Sequence, residues 1–138
     1  MPSKENSLNK SPGMLLGHGV DVVDIDDFSR ILKMPLREFL DRHFTQNEIE
    51  SVGTSTNSTE RFAGRFATKE AVLKALRVGW GDGIAFTDVE VGTTMSGAPT
   101  IILHRKLKAL EIERCISTWL VSTSHTGHVA VASVIALS

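Results

Sequence analysis

Arg61-Phe-Ala-Gly-Arg-Phe-Ala-Thr-Lys-Glu-Ala-Val-Leu-Lys-Ala-Leu76 is the stretch on which the reading of this chain turns. Ala, Leu, Lys, Glu and Arg dominate it, residues that give up little side-chain freedom in a helix. At 100° per residue, Phe62, Phe66, Leu73 and Leu76 fall in one stripe and Ala63, Ala67, Ala71 and Ala75 on the opposite side. Small residues at four-residue spacing admit a second backbone at close range. The helix is therefore expected to pack on two sides.

Its charges lie at the edges of those stripes. Glu70 and Lys74 are neighbours one turn apart, and Arg61, Arg65 and Lys69 form a cationic edge. An acid beside a buried face costs desolvation unless something positive meets it. Lys74 or a metal ion would serve. An ordinary surface Glu–Lys pair, worth roughly 0.2–0.5 kcal/mol, is the plainer reading of the same two residues.

On the N-terminal side, Met14 to Ile25 reads as a Val- and Ile-rich first strand. Gly17 and Gly19 interrupt it, and glycine in a strand marks a bulge or a close approach by backbone or ligand. Asp21 lies between Val20 and Val22, as a strand-end turn residue or a functional carboxylate. Asp26 to Lys33 suits a short helix with acids in its first turn. Pro35 ends it or starts the next, Leu36 to Phe44. Thr45-Gln-Asn-Glu48 has the form of a capping box, and Val52 to Thr59 reads as a loop.

On the C-terminal side, Gly79-Trp-Gly-Asp-Gly83 closes the central helix. Strands are expected at Ile84–Val91 and Thr100–Leu103, an amphipathic helix at His104–Cys115, and a hairpin of Trp119–Ser124 with Val129–Ile135 around Gly127. The class is α+β: an N-terminal strand and helices, a long central helix, then antiparallel strands.

At 138 residues and 41% hydrophobic content, one compact domain is expected over residues 14–138, with the polar residues 1–13 as a disordered extension lacking a secretory signal. No apolar run suits a membrane span, and a net charge of −1 gives no bulk attraction to nucleic acid. Cys115 is the single cysteine, read as a small core filler in a reducing, cytoplasmic protein. Trp80 and Trp119 read as core or interface, His18 and His128 as surface.

Asp21 and Glu70, two hard oxygen donors from separate elements, suit Mg²⁺, which takes few carboxylates and fills its octahedron with water and substrate phosphates. Arg65, Lys69 and Lys74 could hold phosphate oxygens. Gly79, Gly81 and Gly83 would let a ligand approach the backbone. Those parts suit phosphoryl-type transfer.

Three blocks in order sharpen this: Gly17-x-Gly19-x-Asp21-x-x-Asp24-Ile25, the Arg61–Ala75 block with Phe66-Ala-x-Lys69-Glu70-Ala-x-x-Lys74-Ala75 at its heart, and Ser122-x-Ser124-His125 before a Val/Ala strand. Over residues 15–136 the chain resembles the holo-[acyl-carrier-protein] synthase family, the small type of 4′-phosphopantetheinyl transferase. The resemblance implies transfer of the 4′-phosphopantetheine arm of coenzyme A to a serine of apo acyl-carrier protein, releasing adenosine 3′,5′-bisphosphate. It implies Mg²⁺ on Asp21 and Glu70. A carboxylate or metal-bound water would take the serine proton, and Lys74 would stabilise or protonate the leaving phosphate. Arg65, Lys69, Gly79, His125 and Thr126 would contact coenzyme A. A homotrimer with sites at protomer boundaries is also implied.

Three segments depart from the family pattern. Asp26 and Asp27 stand where a basic residue usually meets the acidic carrier, leaving docking to Arg30, Lys33 or Arg37, or to a different carrier. Arg77-Val78-Gly79 replaces Gly-Thr-Gly, and Gly97-Ala98-Pro99 replaces Gly-Lys-Pro. Two other classes compete: a different coenzyme A enzyme built on a long central helix, needing no Asp21 partner, and a non-catalytic coenzyme A or carrier-protein binding subunit.

Overall fold

A computed structural model describes residues 13–33 and 36–138. The proposed extension therefore falls outside the described residues up to residue 12, as does Pro35. Gly13 is tied to the fold, its N–H donating to the Ser138 carbonyl at 2.9 Å.

In chain order the elements are β1 (Leu15–Asp24), α1 (Ile25–Leu32), α2 (Leu36–His43), α3 (Gln46–Val52), α4 (Ser58–Leu76), a 3₁₀ turn (Phe86–Asp88), β2 (Val89–Thr93), β3 (Pro99–Leu103), α5 (Arg105–Glu113), β4 (Thr118–His125) and β5 (Val129–Leu137). Strand β5 is the middle of an antiparallel sheet in the order β1-β5-β4, and β2 pairs with β3. The expected α+β arrangement is the one observed.

Strand β5 alternates strictly. Ala130, Ala132, Val134 and Ala136 face inward and are buried. The register sets Gly19 opposite Val134 and Asp21 opposite Ala132, so both share that inward face. Helix α4 lies across it. A Cβ on Gly19 would overlap the Ala71 carbonyl and lie 2.8 Å from the Ala75 amide nitrogen. One on Gly17 would overlap the Ala75 carbonyl. The two strand glycines and the alanine stripe thus form one close contact, which fixes how far Asp21 sits from α4.

The opposite stripe carries Phe62, buried against Phe44 with ring centroids 4.9 Å apart. Burying each such ring contributes roughly 1.5–3 kcal/mol. Helix α1 starts at Ile25, where the Asp24 carboxylate accepts from the Asp27 N–H at 2.9 Å. The Thr45–Glu48 capping box is present.

Three expectations shift. Helix α4 begins at Ser58, inside the expected loop. The strand expected from Ile84 begins only at Val89, because Asp88 accepts from the Ala85 N–H and closes a 3₁₀ turn first. Cys115 is exposed, not core: it follows α5 in a left-handed conformation, φ 60°, that turns it outward.

Candidate active site

The two lysines of α4 divide the charged groups into two assemblies. Lys69 is fully buried. Its ammonium donates to Glu48 Oε1 at 2.8 Å, to the Phe86 carbonyl at 3.0 Å and to the Val89 carbonyl. An ammonium has three N–H donors, and all three are engaged. Glu48 is equally full: Oε1 also accepts from the Thr45 N–H and Oε2 from the Val91 N–H at 3.0 Å. Burial pulls the Lys69 ammonium below its usual range, and the Glu48 charge works against that pull. The expected coenzyme A contact of Lys69 is therefore corrected: this side chain has no free donor and no route to a ligand. It pins β2 and the 3₁₀ turn to α4.

Lys74, one turn further along the other edge, donates to Asp21 Oδ1 at 3.0 Å and to the Val20 carbonyl at 3.1 Å. Its side chain is 55% exposed and that of Asp21 16%. The sequence leaves Glu70 to Lys74 or a metal ion; Lys74 pairs instead with Asp21. Glu70 Oε1 accepts from the Trp80 indole N–H at 3.1 Å. Burial pushes the Glu70 carboxyl above its usual range, and the nearby Asp21 charge pushes in the same direction. Two acids that repel each other, each with an oxygen to spare, make a site that a cation would relieve.

That donor set fits Mg²⁺. Among the described residues no group of three or more His, Cys, Asp or Glu gathers into a closed metal site. Two carboxylates from a strand and a helix leave open the positions that this ion fills with water and phosphate oxygens.

A second feature lies on the other side of α4. Arg61, Arg65, Thr68, Gly97, Pro99 and His125 help line a cleft of about 180 Å³. The Arg65 Nε is buried without a partner, and so is the Glu60 Oε2. Burial and the Arg61 charge both disfavour the Arg65 cation. An anion entering here would relieve it and take up the orphan donor. Five helical residues separate Arg65 from Glu70, which turns the two side chains roughly 140° apart about the axis. The expected site residues thus form two groups on opposite faces of one helix: Asp21, Glu70 and Lys74, and Arg65 with His125.

Gly79 and Thr126 belong to neither group. Among the described residues a Cβ on Gly79 would meet nothing within 4 Å, so no contact there requires glycine. The Thr126 hydroxyl oxygen accepts from the His128 and Val129 N–H groups at 3.0 and 3.1 Å, holding the β4–β5 turn. The sequence predicts packing for Trp80, and in the structure its N–H also lands on a candidate metal ligand. The ring's need to pack was legible, but the acid its N–H would reach depends on how the Gly79–Gly83 loop folds back.

Residues 17–132 match the model of the 4′-phosphopantetheinyl transferase superfamily. The chain is 38% identical over 122 residues to the holo-[acyl-carrier-protein] synthase of Geobacter sulfurreducens, covering 88% of this chain and 97% of that one. The fold is similar to the holo-[acyl-carrier-protein] synthase of Neisseria meningitidis, with a TM-score of 0.81, 28% identity and coverage of 89% and 98%. It is also similar to the Helicobacter pylori enzyme solved in complex with coenzyme A, with a TM-score of 0.74, 32% identity and coverage of 86% and 98%.

Proposed function

The chain belongs to the 4′-phosphopantetheinyl transferase superfamily, and on that premise we propose that it works as a holo-[acyl-carrier-protein] synthase. It transfers the 4′-phosphopantetheine arm of coenzyme A to a serine of apo acyl-carrier protein and releases adenosine 3′,5′-bisphosphate. The observation that carries the reading is the cluster of Asp21, Glu70 and Lys74 between β1 and α4.

The residues divide the work as follows. Asp21 and Glu70 would hold Mg²⁺, which needs only one or two protein carboxylates. When bound, the ion neutralises the pyrophosphate of coenzyme A and orients it. A carboxylate of the pair, through the oxygen not turned to the ion, accepts the proton of the carrier serine. The serine oxygen forms a bond to the β-phosphorus, and the bond from that phosphorus to the bridging oxygen breaks. Lys74, which is exposed beside Asp21, stabilises the charge that collects on the departing phosphate.

Arg65 and His125 grip phosphate groups of coenzyme A in the cleft on the far side of α4. Because that cleft and the carboxylate pair face away from each other, one extended ligand meets both most simply where two protomers adjoin. We take the assembly to be a homotrimer with shared sites, as the family resemblance implies. It is supported by the outer face of the sheet, where Val20, Val22 and Leu120 stand exposed at 43%, 59% and 50% beside Val131 and Ile135. We place the whole activity in one domain, residues 14–138, acting in the cytoplasm. Among the described residues no helix is long and apolar enough to cross a membrane.

The test is chromatographic detection of adenosine 3′,5′-bisphosphate from coenzyme A. Release that requires both apo carrier protein and Mg²⁺, and stops with EDTA, supports the reading. Coenzyme A binding without release supports the binding-subunit alternative.

A further inference from the structure

The two carboxylates of the site are held in parallel ways. Asp21 accepts from Lys74 on Oδ1 and keeps Oδ2 free; Glu70 accepts from the Trp80 indole N–H on Oε1 and keeps Oε2 free. Asp21 needs little further restraint, because its short side chain rises from a strand paired residue by residue with β5. Glu70 has one more rotatable bond and stands on a helix edge, so an oriented donor matters more there.

Trp80 is built to be that donor. Its ring stacks on Phe86 with centroids 3.7 Å apart and planes 19° from parallel. Phe86 in turn stacks on Phe66 of α4 at 5.2 Å and 19°. The Phe86 carbonyl is fixed at 3.0 Å by the buried Lys69 ammonium. A chain of contacts thus runs from the saturated Lys69–Glu48 pair, through two stacked rings, to one oxygen of Glu70. The left-handed backbone at Arg77, φ 58°, ends α4 three residues before the indole.

We propose that Trp80 is a positioning residue, whose indole N–H holds the Glu70 carboxylate in the rotamer that presents its free oxygen to a divalent cation together with that of Asp21. The inference rests on the metal reading given above. It assigns Trp80 a role that packing alone would not.

The experiment measures Mn²⁺ binding directly, by the electron paramagnetic resonance signal of the free ion, in the presence of coenzyme A. Three proteins are compared: wild type, Trp80→Phe and Asp21→Asn. Trp80→Phe keeps a ring to stack on Phe86 and removes only the N–H donor. Loss of an outer partner of a metal ligand should weaken Mn²⁺ binding about tenfold, while Asp21→Asn weakens it further. Wild-type affinity in Trp80→Phe overturns the inference and leaves the metal reading standing. No Mn²⁺ binding by the wild type overturns both.

A second readout needs no change at Trp80. In Trp119→Phe, Trp80 is the only tryptophan left. Its emission should shift on Mg²⁺ titration, because the ion draws on the carboxylate that the indole N–H touches. Emission that stays constant while Mg²⁺ binds overturns the inference.

Discussion

Lys69 and Lys74 sit on one helix, and each meets an acid from another element, but the two pairs have opposite characters. The Lys69–Glu48 pair is fully buried, and every ammonium proton and both carboxylate oxygens are taken. The Lys74–Asp21 pair is half open, faces a second carboxylate in Glu70, and keeps oxygens in reserve. A saturated pair has nothing left to offer a ligand and serves to hold elements together. An unsaturated pair with a like charge beside it is kept at some cost in stability, and that cost is understandable only if something else binds there.

The largest effect that could break this contrast is on stability at the closed pair. Lys69→Met leaves Glu48 buried and uncompensated, which should cost about 3–5 kcal/mol. The melting temperature should drop by roughly 10–20 °C, and Lys69→Met with Glu48→Leu should recover much of it. If Lys69→Met melts like the wild type but loses affinity for coenzyme A, the assignment of Lys69 to structure is wrong. At the open pair the effect should move from stability to activity. Asp21→Ala should lower kcat/KM by more than about 100-fold, near 2.7 kcal/mol in the barrier, with a melting temperature close to wild type.

A substitution between the two regions sharpens the contrast. Gly19→Ala forces β1 away from Ala71 and Ala75. Overpacking of this kind should cost about 1–3 kcal/mol. Because β1 carries Asp21, activity should fall while the Lys69–Glu48 pair remains intact. Measuring kcat and the urea midpoint together separates the two consequences.

The smallest effect concerns pH. Folding raises the Glu70 carboxyl above its unfolded value, mainly through burial. At pH below the unfolded value both states hold the proton, and Glu70 costs nothing. As pH rises the unfolded chain releases it first, so folding stability declines until the folded group also ionises. Glu70→Gln should therefore be inactive and, near neutral pH, more stable by up to about 1 kcal/mol, with the gain vanishing in acid. Chemical denaturation across that range reads the difference.

Much of this was legible in the sequence. The alanine stripe predicts a second backbone at close range and the strand glycines a bulge or a close approach by backbone or ligand; the structure joins the two, with Gly17 and Gly19 against Ala71 and Ala75. The order of the blocks brought Asp21 and Glu70 into the same neighbourhood. Periodicity could not tell Lys69 from Lys74, because both are cations on a helix edge. Their fates depend on what packs over them: β2 and the 3₁₀ turn close over Lys69, and solvent remains at Lys74. The Trp80–Glu70 bond depends on a loop whose path three glycines leave open. The helical spacing that suggests a buried Cys115 continues past the residue at which the backbone leaves the helix.

The central claim is most directly tested by the intact mass of an apo acyl-carrier protein after incubation with this protein, coenzyme A and Mg²⁺. The account predicts a gain of one phosphopantetheine group with the wild type, none with EDTA, and none with Asp21→Ala. A gain that survives both would contradict the metal site. The absence of any gain with a range of carriers, from a protein that also fails to bind coenzyme A, would contradict the transferase reading itself.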